Sequence, residues 1–318
     1  MKLFITGATG YVGFNVATAF RRAGYEVWGL IRSQEETSTL LRQEIQPVIG
    51  NLQEPDTFTG IAAESDVIIH AAIDYQADSA ALDTMTVKRL LDATQQFADP
   101  QTIIYTSSVW VYGDTQGRAV TEQSQLSPAE TVAWRPQVEQ MVLNAGWING
   151  VVIRPGVVYG RGGGLTGLWF EGALNGNVLQ VVGDGYNHWA MVHVDDLAQG
   201  YLQAAQRNVG GEAYNLVDHS RAMVMEMAGA AGQATGHTRQ LEFIPVDKAA
   251  QDMGALAEAL ALDQVVDTTK ARRLLGWQPQ HQGFIAEADT YFKAWQANQH
   301  LCELPATVDR LFGKISST

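Results

Sequence analysis

The stretch Lys2-Leu-Phe-Ile-Thr-Gly-Ala-Thr-Gly-Tyr-Val-Gly13 constrains this chain most. A short apolar run delivers three glycines, spaced G-x-x-G-x-x-G, directly into an amphipathic segment, which reads as a strand, a tight turn and a helix. Gly7 lets the chain leave the strand, Gly10 lets backbone approach a pyrophosphate, and Gly13 lets the helix pack close against the strand. The helix N-terminus then offers free N–H groups and a positive dipole end to that pyrophosphate. Glycines alone also mark ordinary turns; the strand before and the helix after are what point to dinucleotide binding.

With 318 residues, 46% hydrophobic content and no low-complexity run, the chain can bury a large core, as one α/β unit or as a main domain plus a smaller one. A net charge of −13 and a pI near 4.9 argue against nucleic acid or an anionic membrane as partner, because phosphates repel such a surface. Solubility is the plainer meaning of that charge. The single cysteine, Cys302, excludes an internal disulfide framework and any multi-cysteine metal site. Seven histidines are scattered without an H-x-x-x-H pattern, so no metal is expected. No charged and apolar leader precedes the first strand and no run approaches about 18 apolar residues, so a cytoplasmic protein is expected.

A helix over about Tyr11 to Arg22 ends at Gly24, and Glu26-Val-Trp-Gly-Leu-Ile31 reads as the second strand. At its end, an acidic residue would accept a ribose 2′-hydroxyl, whereas an arginine can hold a 2′-phosphate. Arg32-Ser33 therefore favours NADP(H) over NAD(H), a solvated strand-end arginine being the alternative. Pro47 to Leu52 and Asp66 to Ala72 supply the third and fourth strands, and a long helix runs from about Ser79 to Phe97. Thr102-Ile-Ile-Tyr-Thr-Ser-Ser108 is the fifth strand. A serine at the C-terminal end of a parallel strand lies where open α/β sheets hold their ligands, so Ser108 is a candidate to orient a substrate carbonyl or hydroxyl; capping a turn is its other reading.

Gly150 to Gly160 is the sixth strand and its exit, and Val178 to Val182 reads as the next strand of the sheet. The loop Gly183-Asp-Gly-Tyr-Asn-His-Trp189 follows, with Tyr186 and His188 as candidate proton donors and packing as the alternative for the histidine. Asp195 reads as the cap of the next helix with Asp196 in its first turn, a structural pair rather than an acid/base dyad. A further helix starts at about Arg221, and beyond Leu301 the sequence carries no clear signal.

Taken together, T-G-x-x-G-x-x-G at 6 to 13, G-N-L at 50 to 52, His70-Ala71-Ala72, S-S-x-x-V-Y-G at 107 to 113, R-P-x-x-V-Y-G at 154 to 160, V-H-V-D-D-L-A at 192 to 198 and K-A-x-x-x-L-G-W-x-P at 270 to 279 resemble the extended short-chain dehydrogenase/reductase family, often called NAD-dependent epimerase/dehydratase. The resemblance covers about residues 2 to 297. It implies an α/β fold: a Rossmann-type doubly wound, mainly parallel sheet over residues 1–160, completed by segments of 178–217, with a small substrate-binding lobe over most of 161–318. It implies a nicotinamide cofactor lined by Thr6, Gly7, Thr9, Gly10, Tyr11, Val12, Gly13, Arg32, Asn51, Leu52, Ala71, Ala72, Ser107, Arg135 and Pro155, with Asn51 replacing the family's usual acid. It also implies a homodimer through helices near 79–97 and 136–145.

The family's chemistry rests on Y-x-x-x-K, a tyrosine acid/base and a lysine sharing one helix face at i, i+4. None of the six lysines, at 2, 88, 248, 270, 293 and 314, follows a tyrosine by four. Anchoring on Glu139-Gln-Met-Val-Leu143, which is similar to the family's E-Q-x-x-L, places Thr131 at the tyrosine position and Arg135 at the lysine position. An aliphatic hydroxyl is too weak an acid to replace the phenol, and a guanidinium can grip ribose hydroxyls but cannot exchange a proton. Ser127-Pro-Ala-Glu130 reads as a capping box with proline at N1, a helix start near 128, and Pro136 breaks that helix at 132 to 135 before a second one carrying Val138, Met141, Val142 and Ala145.

The leading function is thus an atypical NAD(P)(H)-dependent oxidoreductase acting on a small carbonyl, alcohol or related substrate. Ser108 would orient that substrate, and Tyr186, His188, Tyr112 or water would manage the proton in a partly apolar pocket beside Trp110. A dinucleotide-binding sensor without turnover is the alternative. A nucleotide-sugar epimerase or dehydratase is disfavoured by the missing tyrosine and by Arg154-Pro155, where such relatives often carry an asparagine.

Overall fold

The computed structural model describes residues 1–74, 77–95, 99–175, 178–207, 209–236 and 240–301. Seven parallel strands build the main sheet: β1 (Lys2–Thr6), β2 (Glu26–Ile31), β3 (Gln46–Ile49), β4 (Val67–His70), β5 (Thr102–Thr106), β7 (Asn149–Pro155) and β11 (Glu212–Leu216). Their order, β11-β7-β5-β4-β1-β2-β3, reverses at β1, so the crevice for a ligand opens at the C-terminal ends of β1 and β4. Alternation along β1 explains the two layers, because successive side chains point to opposite faces. Leu3 and Ile5 pack with Val16 and Phe20 of the Tyr11–Arg22 helix and with Leu197 and Tyr201 of the Val194–Gln206 helix. Phe4, between them, packs with Leu90 of the Ser79–Thr94 helix and Val138 of the Arg135–Leu143 helix. Each such aliphatic side chain, fully removed from water, contributes about 1.5–3 kcal/mol.

Among the described residues, three two-stranded parallel sheets lie outside the main one: β6 (Ala119–Val120) with β13 (Val265–Val266), β8 (Val157–Tyr159) with β10 (Met191–His193), and β9 (Leu179–Val182) with β12 (Leu241–Ile244). Here the structure departs from the sequence reading. Among the described residues of the 178–217 stretch only β11 joins the main sheet, whereas β9 pairs with β12 outside it. Around β9 lies an aromatic cluster, in which Trp169 and Trp189 stack at 5.1 Å beside Phe284. The helix expected near 128 is absent: Ser127 N–H and Ala129 N–H donate to the carbonyls of Val111 and Trp110, so the backbone pairs sideways and only a 3-10 turn, Glu130–Val132, forms. Pro136 sits in the first turn of the Arg135–Leu143 helix, where its missing N–H costs nothing. The long helix ends at Thr94; Phe97, Cys302 and the tail beyond fall outside the described residues. No helix among the described residues is long and apolar enough to cross a membrane.

Candidate active site

The glycine turn has the shape a dinucleotide requires. Gly7 has φ +71°, and a Cβ there would lie 2.8 Å from Ala72 N and 2.9 Å from the Ala71 carbonyl, so only glycine lets the β1 turn lie against the end of β4. At Gly13 a Cβ would lie 2.1 Å from Gly7 O, which locks helix to turn. At Gly10 a Cβ would meet only Gly7 O, at 3.2 Å, so its outer side is clear for a pyrophosphate. The amides of Tyr11, Val12 and Gly13 occupy the first helical turn, where N–H groups have no intrahelical acceptor. These residues fit a nicotinamide dinucleotide.

Other expected lining residues act from behind. The Thr6 hydroxyl is buried, bonded to His70 Nδ1 at 2.7 Å and accepting from Ala71 N and Ala72 N, both at 3.2 Å. The Tyr11 phenol leaves the turn and donates to Gly160 O at 2.8 Å. Asn51 Oδ1 accepts from Gln53 N, and Leu52 packs on the core behind β3. Pro155 is buried in the β7–β11 register beside Leu216. At the end of β2, Arg32 is exposed, and the charge held against the glycine turn is Glu36. One oxygen of Glu36 accepts from Thr9 Oγ1 at 2.9 Å, and the other accepts from Arg32 N at 2.9 Å and Ser33 N at 3.3 Å.

The end of β5 gathers the reactive candidates. Ser108 accepts from Trp110 N–H at 3.1 Å, capping the turn Val109–Tyr112, and a hydroxyl used as acceptor still has its proton to donate. Val132, next to Thr131, packs with Val109 and Val111, so the two turns meet. Arg135 donates to Thr106 O and lies over the rings of Trp134 and Tyr105, 5.6 and 6.0 Å from their centroids. Both rings are fixed by Asp83, which accepts from Tyr105 OH at 2.5 Å and Trp134 Nε1 at 2.7 Å and pairs with His70 Nε2 at 2.8 Å. Burial alone would raise the Asp83 carboxyl, but the hydrogen bond and charge of His70 and the charge of Arg135 hold it below the usual range. Nothing in the sequence reading singled out Asp83; its partners come from β4, β5 and the turn before residue 135.

Ser107, expected to line the cofactor, turns its hydroxyl into a buried network. Its hydroxyl donates to Glu139 at 2.5 Å, and Glu139 is paired with Arg154, whose Nε donates at 2.9 Å; all three are buried. Arg154 also donates to Tyr112 OH at 2.7 Å, and that phenol donates to Asn215 Oδ1 at 2.8 Å. Burial pushes the Tyr112 phenol up despite the neighbouring guanidinium, and the residue is 3% exposed, which removes it as a proton donor. Tyr186 stands in solvent, 63% exposed. His188 Nδ1 is bonded to Asp263 at 2.8 Å, and its ring lines a cavity of about 240 Å³ with Asp218, Arg221 and Arg272; neither Ser108, Thr131 nor Arg135 lines that cavity. Arg135 is thus bonded to the carbonyl two residues before Ser108, whereas Tyr186 stands in solvent and His188 is held by Asp263.

The cap of the Val194–Gln206 helix is His193, not Asp195: its Nδ1 accepts from Asp195 N at 3.2 Å. Asp195 pairs with Arg161 at 2.6 Å, and Asp196 accepts from Gln280 N and His281 N, both at 3.0 Å. Ligating atoms of His193, Asp195 and His281 lie within 4.8 Å of one another, but the first two already spend lone pairs on these bonds. Burial, with the charge of His281 stacked 3.5 Å away, lowers His193 to about 4. A histidine lowered on folding binds fewer protons native than unfolded, so stability is lost as pH falls from about 6.5 through 4. Thermal midpoints are expected to drop across that window, and less steeply in His193→Phe than in the wild type.

A reversed-order parallel sheet with an open glycine turn at its switch point and a serine-capped turn beside it defines a Rossmann-type dinucleotide-binding protein of the extended short-chain dehydrogenase/reductase class. The family model for the NAD dependent epimerase/dehydratase family matches residues 3–216, and the chain belongs to that family of nicotinamide-dependent oxidoreductases. It is 27% identical over 310 residues to the 4-hydroxy-2-methyl-3-oxo-4-farnesyl-3,4-dihydroquinoline-1-oxide ketoreductase of Stigmatella aurantiaca, covering 87% of this chain and 92% of that one. It is 26% identical over 302 residues to an uncharacterized protein of Schizosaccharomyces pombe, covering 92% and 100%. The dTDP-glucose 4,6-dehydratase of Bacillus anthracis, solved with NAD, superposes with a TM-score of 0.80 at 18% identity, covering 94% of this chain and 98% of that one, a likeness of fold.

Proposed function

We propose that this chain is an atypical oxidoreductase that moves a hydride between a nicotinamide cofactor and a small carbonyl, alcohol or related substrate. The observation that carries this reading is that the open glycine turn after β1 and a Ser108 hydroxyl whose proton is available, after β5, lie at the same C-terminal end of the main sheet with β4 between them. The cofactor, when bound, supplies or accepts the hydride. Ser108 orients the substrate oxygen, and Arg135 presents a permanent positive charge beside it. With Thr131 too weak an acid and Tyr112 sealed against Arg154, water held at the Ser108 turn delivers the proton. Arg32 supports NADP(H) as the cofactor; Glu36 opposes it.

The test is reduced-cofactor oxidation against a panel of aldehydes, ketones and imines. Turnover is expected, and Ser108→Ala is expected to lower it about 100-fold, the usual effect of removing one donor at the reacting oxygen. The sensor reading draws on Thr131, which leaves the family's acid position without an acid. Binding without turnover across the panel would establish it, and interconversion of UDP- or dTDP-sugars would restore the epimerase reading. We also propose a cytoplasmic homodimer pairing through the Ser79–Thr94 and Arg135–Leu143 helices. Light scattering is expected to give twice the 34.6 kDa of one chain.

A further inference from the structure

The cavity that His188 lines stands apart from both the glycine turn and the Ser108 turn. Along 187–191 alternate side chains face opposite ways. Asn187 Nδ2 and Trp189 Nε1 donate to the Leu260 carbonyl at 3.1 and 2.9 Å, and Trp189 and Met191 pack in the aromatic cluster. His188 and Ala190, between them, face the cavity of about 240 Å³, whose other walls come from the loop after β11 and from β13 with the Thr269–Leu274 helix. Gln264 belongs to the same lining, and its Nε2 donates to the carbonyls of Val109 and Gly113 at 3.0 and 2.9 Å. The turn capped by Ser108 is thus tied to this wall, while none of residues 108–113 lines the cavity.

Two guanidiniums open onto it, Arg221 from the loop and Arg272 from the helix, and both residues are exposed. Among the described residues neither has an ion-pair or hydrogen-bond partner. The acids of the lining are committed elsewhere. Asp218 accepts from Ser220 N and Oγ through one oxygen, at 2.8 and 2.6 Å, and from Tyr159 OH through the other, at 3.0 Å. Asp267 accepts from Thr269 N and Oγ1, at 2.8 and 3.0 Å. Each guanidinium therefore keeps its fork of N–H donors, and His188, with Nδ1 held by Asp263, keeps Nε2. A lone solvated arginine needs no partner, but two of them with an imidazole nitrogen on one concave wall form the donor set of an oxyanion, and such a wall focuses their field.

We infer that this cavity is a second ligand site, separate from the glycine turn, which takes one small oxyanion, a carboxylate or a phosphate, on Arg221 and Arg272 with His188 Nε2 as a further contact. The volume sets the scale of the ligand. It lies below the ~300–1,000 Å³ of most ligand pockets, which excludes a dinucleotide and leaves inorganic phosphate or a four-carbon acid. Planar guanidinium forks match the paired oxygens of either group.

Calorimetric titration of sodium phosphate and of disodium succinate into the full chain, with and without NADH, tests this. Binding at one site is expected, with an affinity that NADH leaves unchanged. Arg221→Gln and Arg272→Gln are each expected to weaken it at least about tenfold, the loss of a charge-assisted contact. Arg273→Gln removes the same charge from the same helix outside the cavity and is expected to weaken it less than about threefold. Tighter binding of succinate assigns a carboxylate ligand, and tighter binding of phosphate a phosphate one. Equal losses in all three variants overturn the site, as do displacement by NADH, equal binding of neutral succinamide, or no binding of either anion up to about 10 mM. Should a variant fail to fold, the wild type decides through arginine modification by phenylglyoxal, read by mass spectrometry. Protection of Arg221 and Arg272 by the tighter anion, with Arg32 and Arg273 unprotected, supports the site; any other pattern overturns it.

Discussion

Replacing Arg154 by methionine is expected to destabilise the protein by about 3–5 kcal/mol, the usual cost of stranding one member of a buried ion pair. Methionine approximates the length of the arginine stem and leaves Glu139, which has no exposed surface, with only the Ser107 hydroxyl for its charge. The loss also frees Tyr112 OH from one of its two partners, on the turn that Ser108 caps. Denaturant unfolding measures the change. Glu139→Leu combined with Arg154→Met is expected to recover at least half of it, because an apolar pair carries no desolvation penalty. Single and double variants of equal stability would mean that the pair contributes shape alone.

The second large effect is expected at Gly13. Alanine there would put a methyl 2.1 Å from Gly7 O and 2.8 Å from its carbonyl carbon, so the Tyr11–Arg22 helix must back away from the turn. Overpacking of this kind costs about 1–3 kcal/mol. The larger consequence is for binding: the first-turn amides move with the helix, and a displacement of about 1 Å is worth about 100-fold where alignment governs the interaction. Dinucleotide titration of Gly13→Ala is expected to show a loss of that order. Gly229→Ala serves as the control, since nothing lies within 4 Å of a Cβ there and the residue is inside the Val224–Ala234 helix. It is expected to bind as the wild type does and to be more stable by about 0.5–1 kcal/mol. Equal cofactor affinity in Gly13→Ala and wild type would detach the glycine turn from the cofactor.

Legibility in the sequence tracked how local each determinant is. The glycine turn, the Tyr11–Arg22 helix and β2 were readable because spacing and apolar runs of a few residues determine them. The strand character of 179–182 was readable too, but not its sheet: apolar pattern says that a face is buried, never against what, and the partner Leu241–Ile244 lies some sixty residues on. The helix expected from Ser127-Pro-Ala-Glu130 lost to backbone bonds with Trp110 and Val111, which no local pattern announces. The inward bond of Ser107 is illegible for the same reason, its acceptor being Glu139 on a helix some thirty residues on. Glu36 is the instructive exception. Ser33-Gln-Glu-Glu36 is a capping-box pattern, and reading it would have placed a carboxylate over the amides of Arg32 and Ser33.

The bonds that close the sheet's far edge have a consequence for how the chain is made. Trp277 Nε1 donates to Asp196 O at 2.7 Å, and Asp196 then holds the amides of Gln280 and His281, across more than eighty residues of sequence. Strand β11, the last of the main sheet, has only β7 beside it, and its own flank is tied by Asn215 Nδ2 to Asp267 O at 3.1 Å and by Thr268 Oγ1 to Asn215 O. During synthesis, at about 5–20 residues per second, the dinucleotide half therefore emerges first and waits for the segment that seals it. For several seconds an unclosed parallel edge is exposed. A ribosome-bound chain stopped near residue 260 would be a protease-sensitive intermediate, and the full chain, with Phe284 and Trp295 in place, would not.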